Sequence, residues 1–203
     1  MDDIEVFADI TCPFTHVGLR RIIQERTNRG RHTPRLKVRA WPLELVNGQP
    51  FEASAIVEKA AALREQVAPG LFSNINPDSW PASSRAALGL VAAAYRIDAE
   101  SGEQMSLRLR DALFEHGQDI SDPLILKEIG DSLGVGTPTS ADMGSVELDW
   151  AEGQRRGVIG SPHFFLNDTE MFCPTLEITH PDGRLHIEVD EESLQEFLGR
   201  VFE

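Results

Sequence analysis

A long stretch of purely helical patterning lies between two stretches of mixed patterning, and this arrangement limits the folds open to the chain. From residue 52 to about residue 133, apolar side chains recur at helical spacing. Ahead of that stretch, alternating apolar residues predict strands over 4–10 and 36–40, with a helix over 13–29 between them. A strand, a helix and a second strand in this order form a β-α-β unit.

Mixed patterning returns after the helical stretch. The sequence predicts a helix over 140–156, a strand over 163–166, a turn at Asn167-Asp168 and a strand over 185–189. Asp190 can cap a last helix. Without the helical stretch, the order of elements is that of the thioredoxin fold. We therefore predict an α/β chain, thioredoxin-like, with a helical insertion domain.

The predicted organisation is two domains, one of them discontinuous. The thioredoxin-like domain covers residues 1–47 and 139–203, and the helical insertion covers 48–138. A chain of 203 residues is long enough for a sizeable core with a substantial insertion. An apolar helix face over 86–94 could serve a homodimer as well as a core.

The net charge of −14 argues against nucleic acid and anionic membranes as partners, because both favour basic surfaces. The N-terminus lacks the basic and apolar regions of a secretory signal, and no apolar run reaches the ~18 residues of a membrane span. Two cysteines do not make a disulfide framework. We expect a cytoplasmic protein, although a secreted chain without its leader would show the same features.

The segment DITCPFTHVG (9–18) contains the first of the two cysteines, Cys12. Pro13 suits the first position of a helix, which makes Cys12 the expected N-cap. The free N–H groups and the dipole of a helix N-terminus both favour a thiolate over a thiol. Cys12 is therefore a candidate nucleophile. The alternative is a small buried residue at a strand–helix junction.

The neighbours of Cys12 suggest further roles. Thr15 lies one helical turn on, where its hydroxyl could donate a hydrogen bond to the sulfur. Phe14 could form an apolar wall beside the sulfur. His16 would add positive charge if protonated, or could simply face solvent. The six histidines are scattered without metal-ligand spacing, so no metal site is predicted.

The second candidate segment is GVIGSPHFF (157–165), between a predicted helix and a predicted strand. A cis bond at Ser161-Pro162 would turn the backbone of Ser161 toward the start of the first helix. That backbone could then pair with an extended substrate or with a small thiol. The alternative is an ordinary turn proline.

Together, the two segments resemble the active-site opening and the cis-proline segment of the DsbA-like branch of the thioredoxin superfamily. WPASSRAA (80–87) and DISDPLIL (119–126) resemble the helical domain of that family. Similar groups are the FrnE-like oxidoreductases, the kappa-class glutathione transferases and the 2-hydroxychromene-2-carboxylate isomerases. The resemblance covers nearly the whole chain.

The resemblance implies specific roles for individual residues. Cys12 becomes the nucleophile and Thr15 occupies the position of the resolving cysteine, so these two are the candidate catalytic residues. A mixed disulfide on Cys12 then needs an external thiol to resolve it. The transferase and isomerase groups keep a serine where Cys12 stands. The residues expected to contact substrate are Pro13, Phe14, His16, Ser161 and Pro162.

The leading functional hypothesis is thiol–disulfide exchange through Cys12, with a small thiol or a protein disulfide as partner. No bound cofactor is expected, and glutathione or another low-molecular-weight thiol is a possible co-substrate. One alternative is a transferase or isomerase that depends on such a thiol. Another is a non-catalytic binding protein on a degenerate thioredoxin fold.

Three features away from the two motifs complete the expectations. Cys173 is expected at the far end of the sheet, too distant for a disulfide with Cys12. Arg155-Arg156 could meet a carboxylate of a small thiol, or could be a solvated helix end. The loop over 71–80 could line the cleft at Cys12.

Overall fold

The computed structural model of the chain describes residues 4–166, 169–173 and 176–202. The strands are β1 Ile4–Ala8, β2 Leu36–Ala40, β3 His163–Leu166, β4 Thr169–Phe172, β5 Leu176–Thr179 and β6 His186–Val189. The helices are α1 Pro13–Asn28, α2 Leu43–Asn47, α3 Ala53–Gln66, α4 Arg85–Tyr95, α5 Ala99–Phe114, α6 Pro123–Ser132, α7 Ser140–Arg155 and α8 Glu191–Phe202. Among the described helices, none is long and apolar enough to cross a membrane.

The central sheet has four strands in the order β2-β1-β3-β4. Strands β1 and β2 are parallel, with Val6 opposite Val38. Strand β3 is antiparallel to both of its neighbours, and Val6 faces Phe164 on that side. Helices α2 to α6 fall between β2 and α7. This is the predicted α/β thioredoxin-like fold with a helical insertion, whereas the boundaries at 47/48 and 138/139 stay predictions.

The fourth strand corrects the sequence analysis. The predicted strand over 185–189 contains β6, but β6 pairs with β5 in a separate two-stranded sheet. The fourth strand is β4, which the sequence analysis missed. The exposed side chains of Glu170 and Phe172 explain the miss, because this edge strand shows no clear apolar alternation. The predicted turn at Asn167-Asp168 lies outside the described residues.

Side chains on β1 point alternately into two apolar clusters. Val6 and Ala8 belong to the main core, which includes Val17 of α1 and Phe197 of α8. Phe7 points to the opposite face. There it joins a smaller group, here called the Cys12 cluster, whose buried members are Phe7, Cys12, Trp41, Leu43, Val158 and Phe165. Because both faces are covered, β1 is almost continuously apolar, and the strand leads directly to Cys12.

The outer edge of β2 is closed by side chains from the helices. Tyr95 Oη accepts from Val38 N at 2.8 Å and donates to Leu36 O at 2.6 Å. A carboxylate oxygen of Glu103 accepts from Leu36 N, and one of Asp149 accepts from Ala40 N. An open strand edge is a template for pairing with another chain. These three side chains satisfy the edge and tie α4, α5 and α7 to the sheet.

Candidate active site

Cys12 is the N-cap of α1, and Pro13 is the first helical residue, as the sequence predicts. The residue is only 3 % exposed. Contrary to the sequence analysis, the sulfur accepts no capping hydrogen bond from the helix. Its Sγ instead donates to the main-chain oxygen of Ser161 at 3.0 Å. A carbonyl oxygen can only accept, so this contact holds the sulfur as a thiol.

Ser161 joins the two predicted motifs, and its bond to Pro162 is cis. Its Oγ accepts from Asp9 N at 2.9 Å and lies 2.8 Å from Thr15 Oγ1. The hydroxyl of Thr15 is thus bonded to Ser161, not to the sulfur of Cys12 as the sequence analysis expected. Thr15 is one turn along α1 from Cys12, and that position faces the serine hydroxyl. The structure therefore brings Cys12, Thr15, Ser161 and Pro162 together.

The surroundings of the sulfur are mainly apolar. Phe14 is half-buried and packs against the Cys12 cluster. Trp41 of that cluster packs against Trp150, with 4.3 Å between the ring centroids and 35° between the ring planes. Such an environment excludes water, so charge on the sulfur needs a polar group or a countercharge.

His16 is buried between α1 and the helical insertion and does not face solvent. Its Nε2 lies 2.8 Å from Glu115 Oε1, and its ring packs against Phe72 and Phe114. Burial lowers the pKa of His16, which favours the neutral ring. In that state Nε2–H donates to Glu115, while the buried Nδ1 has no partner among the described residues.

Glu115 also fixes the loop predicted to line the cleft. Its carboxylate accepts from Phe72 N and Ser73 N, each at 2.9 Å, and from the hydroxyl of Ser73. These donors and His16 hold the pKa of Glu115 well below its usual range, despite partial burial. The pair His16–Glu115 thus connects this loop to the helix that carries Cys12.

Asp9, which the sequence analysis did not single out, is a buried carboxyl group three residues before Cys12. Its two carboxylate oxygens accept four hydrogen bonds, from Thr11 N, Thr11 Oγ1, Leu43 N and Ser84 Oγ. Burial raises the pKa of Asp9, and the four donors oppose this shift. The sequence feature that could have identified Asp9 is its position as an acidic residue between the apolar residues Ala8 and Ile10.

Arg110 is the second residue that the sequence analysis missed. It lies on α5 and is 0 % exposed. Its Nη1 donates to the main-chain oxygens of Asp9 at 2.7 Å and Ile10 at 3.2 Å. Burial lowers its pKa to about 10, so the guanidinium is still charged near neutral pH. The sequence feature that could have identified Arg110 is its spacing of four residues from Ser106 and three from Leu113, which places it on the same buried face of α5.

A family model named DSBA-like thioredoxin domain matches residues 3–179. The chain belongs to this family. A search of curated protein sequences finds no significant match to this DSBA-like chain. The family assignment agrees with the resemblance of the two motifs, and the single cysteine at Cys12 with Thr15 three residues on is a property of this member's sequence.

Solved structures share the fold of this DSBA-like chain at low sequence identity. A proposed protein disulfide isomerase from Nitrosomonas europaea has a TM-score of 0.65 and 16 % identity, covering 97 % of this chain and 95 % of that one. A proposed DsbA oxidoreductase from Streptomyces coelicolor has a TM-score of 0.63 and 18 % identity, covering 83 % and 82 %. A 2-hydroxychromene-2-carboxylate isomerase has a TM-score of 0.54 and 15 % identity, covering 85 % and 88 %. At such identities, these likenesses show the fold.

The position of Cys173 corrects the sequence analysis. Because β4 runs back antiparallel to β3, Cys173 lies at the same end of the sheet as Cys12, and its N–H donates to Pro162 O at 3.0 Å. Burial, and then the charge of Cys12, raise the pKa of the Cys173 thiol to about 12. The two cysteines nonetheless follow strands on opposite sides of β3, Cys12 after β1 and Cys173 after β4. Both cysteines are free, so the absence of a Cys12–Cys173 disulfide agrees with the prediction although the reason given for it does not.

The two arginines at the end of α7 are both engaged within the DSBA-like chain. Arg156 donates to Glu5 at 2.6 Å, and its guanidinium lies 3.8 Å from the ring centroid of Phe165. Arg155 is bonded to Glu152 on the helix surface. Arg155 matches the solvated helix end of the sequence analysis, while Arg156 is part of the packing beneath the sheet.

Proposed function

We propose that the protein catalyses thiol–disulfide exchange through Cys12 alone, with an external thiol that resolves the mixed disulfide. The observation that carries the proposal is the contact of the Cys12 sulfur with Ser161, next to cis-Pro162 and at the first turn of α1. Thiol–disulfide chemistry or a related isomerisation is also what the family and the fold support in general terms.

The proposed reaction has two balanced steps. The Cys12 thiolate attacks one sulfur of a disulfide, a mixed disulfide forms, and the other sulfur leaves as a thiolate that takes up a proton. A second thiolate then attacks the mixed disulfide at the partner's sulfur and releases the Cys12 thiolate. Thr15 cannot perform this second step because it has no sulfur. Glutathione or another low-molecular-weight thiol is the proposed resolving partner, in a reducing cytoplasm.

The residues around Cys12 have proposed supporting roles. Thr15 holds the hydroxyl of Ser161, and Ser161 and Pro162 supply the backbone beside which a substrate lies. Pro13 starts the helix, and Phe14 lines the approach to the sulfur. The proposed role of His16 is indirect, because its ring packs against Phe72 and Phe114 of the insertion.

One observation favours a second candidate, a transferase or isomerase that uses a small thiol. The sulfur of Cys12 is almost fully buried, so a small thiol reaches it with less rearrangement than a protein disulfide does. In that case Cys12 and Thr15 would bind and activate the thiol of the co-substrate without forming a disulfide. A binding protein on the same fold would do neither.

The experiment compares two variants that each keep one cysteine. Cys173→Ser leaves Cys12, and Cys12→Ser leaves Cys173. Each is incubated with glutathione disulfide and the intact mass is measured, and turnover of a small disulfide is followed with reduced glutathione present. We expect the adduct and the turnover only where Cys12 remains. An adduct-free, inactive Cys12 in the folded protein would falsify the exchange mechanism, and thiol-dependent isomerisation without an adduct would favour the second candidate.

A further inference from the structure

We propose that Arg110 is a positioning residue for the nucleophile: its buried guanidinium is the countercharge that stabilises the Cys12 thiolate. The proposal rests on the proposed function, in which that thiolate is the attacking species. It concerns a residue on the helical insertion, far from both motifs in sequence. Three features of the structure carry it.

The first feature is the anchoring of Arg110 at the segment that leads to Cys12. The guanidinium reaches the β1–α1 connection through hydrogen bonds to the main-chain oxygens of Asp9 and Ile10. These contacts use Nη1 alone. The arginine is therefore held beside the backbone that positions the nucleophile, two to three residues from the sulfur.

The second feature is unused donor capacity. Nε and Nη2 of Arg110 are buried and have no partner among the described residues. The neighbouring carboxylate of Asp9 does not consume them, because its oxygens are occupied by Thr11, Leu43 and Ser84. Buried polar groups are normally hydrogen-bonded, so a buried cation with free donors needs an explanation.

The third feature is what the sulfur loses when it ionises. As a thiol, Cys12 donates to Ser161 O, but a thiolate can only accept. The carbonyl oxygen then repels the sulfur, and the surrounding cluster offers mainly apolar contacts. A cation with unfilled N–H donors meets this need. Burial lowers the pKa of Arg110 to about 10, and the attraction to a charged Cys12 is the largest of the effects that oppose this shift.

Other charged or titratable groups face this pair, and the experiment must account for them. They are Asp9 in the β1–α1 connection, His16 and Arg20 on α1, Tyr95 on α4 and Cys173 after β4, with Glu115 at the end of α5 bonded to His16. Asp9 opposes a thiolate if it is ionised. His16 is held neutral by burial, and Arg20 is paired with Asp111. Arg20 also has a buried Nε without a partner, but its charge is already paired with Asp111. Among the described residues, Arg110 is therefore the cation near Cys12 that has free donors and no carboxylate ion pair.

The experiment measures the rate of Cys12 alkylation by iodoacetamide against pH, in the Cys173→Ser background. Arg110→Met removes the charge, Arg110→Lys keeps it, and Arg108→Met removes a charge from the exposed side of the same helix. We expect Arg110→Met to move the midpoint of the pH–rate curve up by about 1 to 3 pH units, the size of effect that a neighbouring opposite charge has on a titrating group. Arg110→Lys should recover most of that shift, and Arg108→Met should leave the midpoint in place.

The outcomes separate this proposal from the proposed function. An unchanged midpoint in Arg110→Met, while the parent still forms its glutathione adduct, overturns the role of Arg110 and leaves the exchange mechanism standing. A midpoint that shifts as expected without adduct or turnover supports Arg110 and overturns the exchange mechanism.

A second measurement keeps the proposal testable if Arg110→Met does not fold. Urea unfolding of the natural chain is compared with that of Cys12→Ser across pH. If the fold stabilises the thiolate, the folded state binds fewer protons, and the stability difference in favour of the natural chain grows as pH rises. A difference that shrinks with rising pH overturns the proposal, because the buried thiolate then lacks a countercharge.

Discussion

The sulfur of Cys12 donates a hydrogen bond to the main-chain oxygen of Ser161, and this contact joins the two motifs of the candidate site. The two residues are far apart in sequence, one before α1 and the other before β3. The thiol is consequently both buried and held by an acceptor, so a reaction must break this contact as the thiolate forms.

Replacing Thr15 with cysteine should convert the site to a dithiol. The substitution Thr15→Cys puts a second sulfur one turn from Cys12, within reach of an internal disulfide. We expect turnover of a disulfide substrate that no longer requires glutathione as resolving thiol, measured by intact mass after oxidation and by the glutathione dependence of the rate. Thr15→Ser is the control and should behave as the parent. Unchanged dependence on the external thiol in Thr15→Cys contradicts the prediction.

Removing the hydroxyl of Ser161 should weaken the fold as well as the site. In Ser161→Ala, Asp9 N–H loses its acceptor in a buried position. A buried donor left unsatisfied costs about 1–3 kcal/mol. Urea unfolding should show this loss, while Ser145→Ala, at a half-buried position of α7 where the hydroxyl donates to Ala141 O of the same helix, should change stability by less than about 0.5 kcal/mol. Equal stability of the two variants speaks against the Ser161 network.

Acid should destabilise the contact between α1 and the insertion. Burial lowers the pKa of His16 in the folded protein, so the folded state binds fewer protons than the unfolded chain. That contribution is fully present above the ordinary histidine pKa of about 6.5 and is lost as pH falls below it. Glu115, whose pKa is also lowered, adds a further loss at more acid pH.

The histidine prediction is measured by urea unfolding at a series of pH values. The free energy of unfolding of the natural chain should fall as the pH is lowered from about 7.5 to about 5, the interval around the ordinary histidine pKa of about 6.5. His16→Gln should show a shallower fall over this interval. His180→Gln, at an exposed histidine, is the matched control and should follow the natural chain. A steeper fall in His16→Gln than in the control contradicts the direction of the shift.

The hydroxyl group of Tyr95 should stabilise the outer edge of β2. Tyr95→Phe leaves the N–H of Val38 and the carbonyl of Leu36 without their present partner. Because these groups lie under the helices, we expect a loss of about 1–3 kcal/mol in the free energy of unfolding. Because phenylalanine keeps the ring of Tyr95, the measured loss reports the hydroxyl group and not the aromatic packing. A loss below about 0.5 kcal/mol in Tyr95→Phe would mean that the edge is satisfied by water.

Local patterns in the sequence were sufficient for much of the candidate site. Periodicity and the Cys12–Pro13 pair predict the start of α1, because a helix N-terminus depends on residues within one turn. The Ser161–Pro162 pair, between a helix and a strand, likewise indicates the cis-proline segment that the structure contains. The order of elements predicts the thioredoxin-like fold with its insertion.

The tertiary structure decided what depends on contacts between distant residues. The exposed edge strand β4 has no alternation to announce it, yet its direction brings Cys173 back beside Pro162. The burial of Arg110 depends on packing of α5 against a connection about a hundred residues earlier in the chain. A pattern of spacings shows which face of one helix is apolar, but it does not show which backbone that face meets. The sequence by itself therefore determined the nucleophile candidate and its helix, and only the folded chain determined the groups that surround its charge.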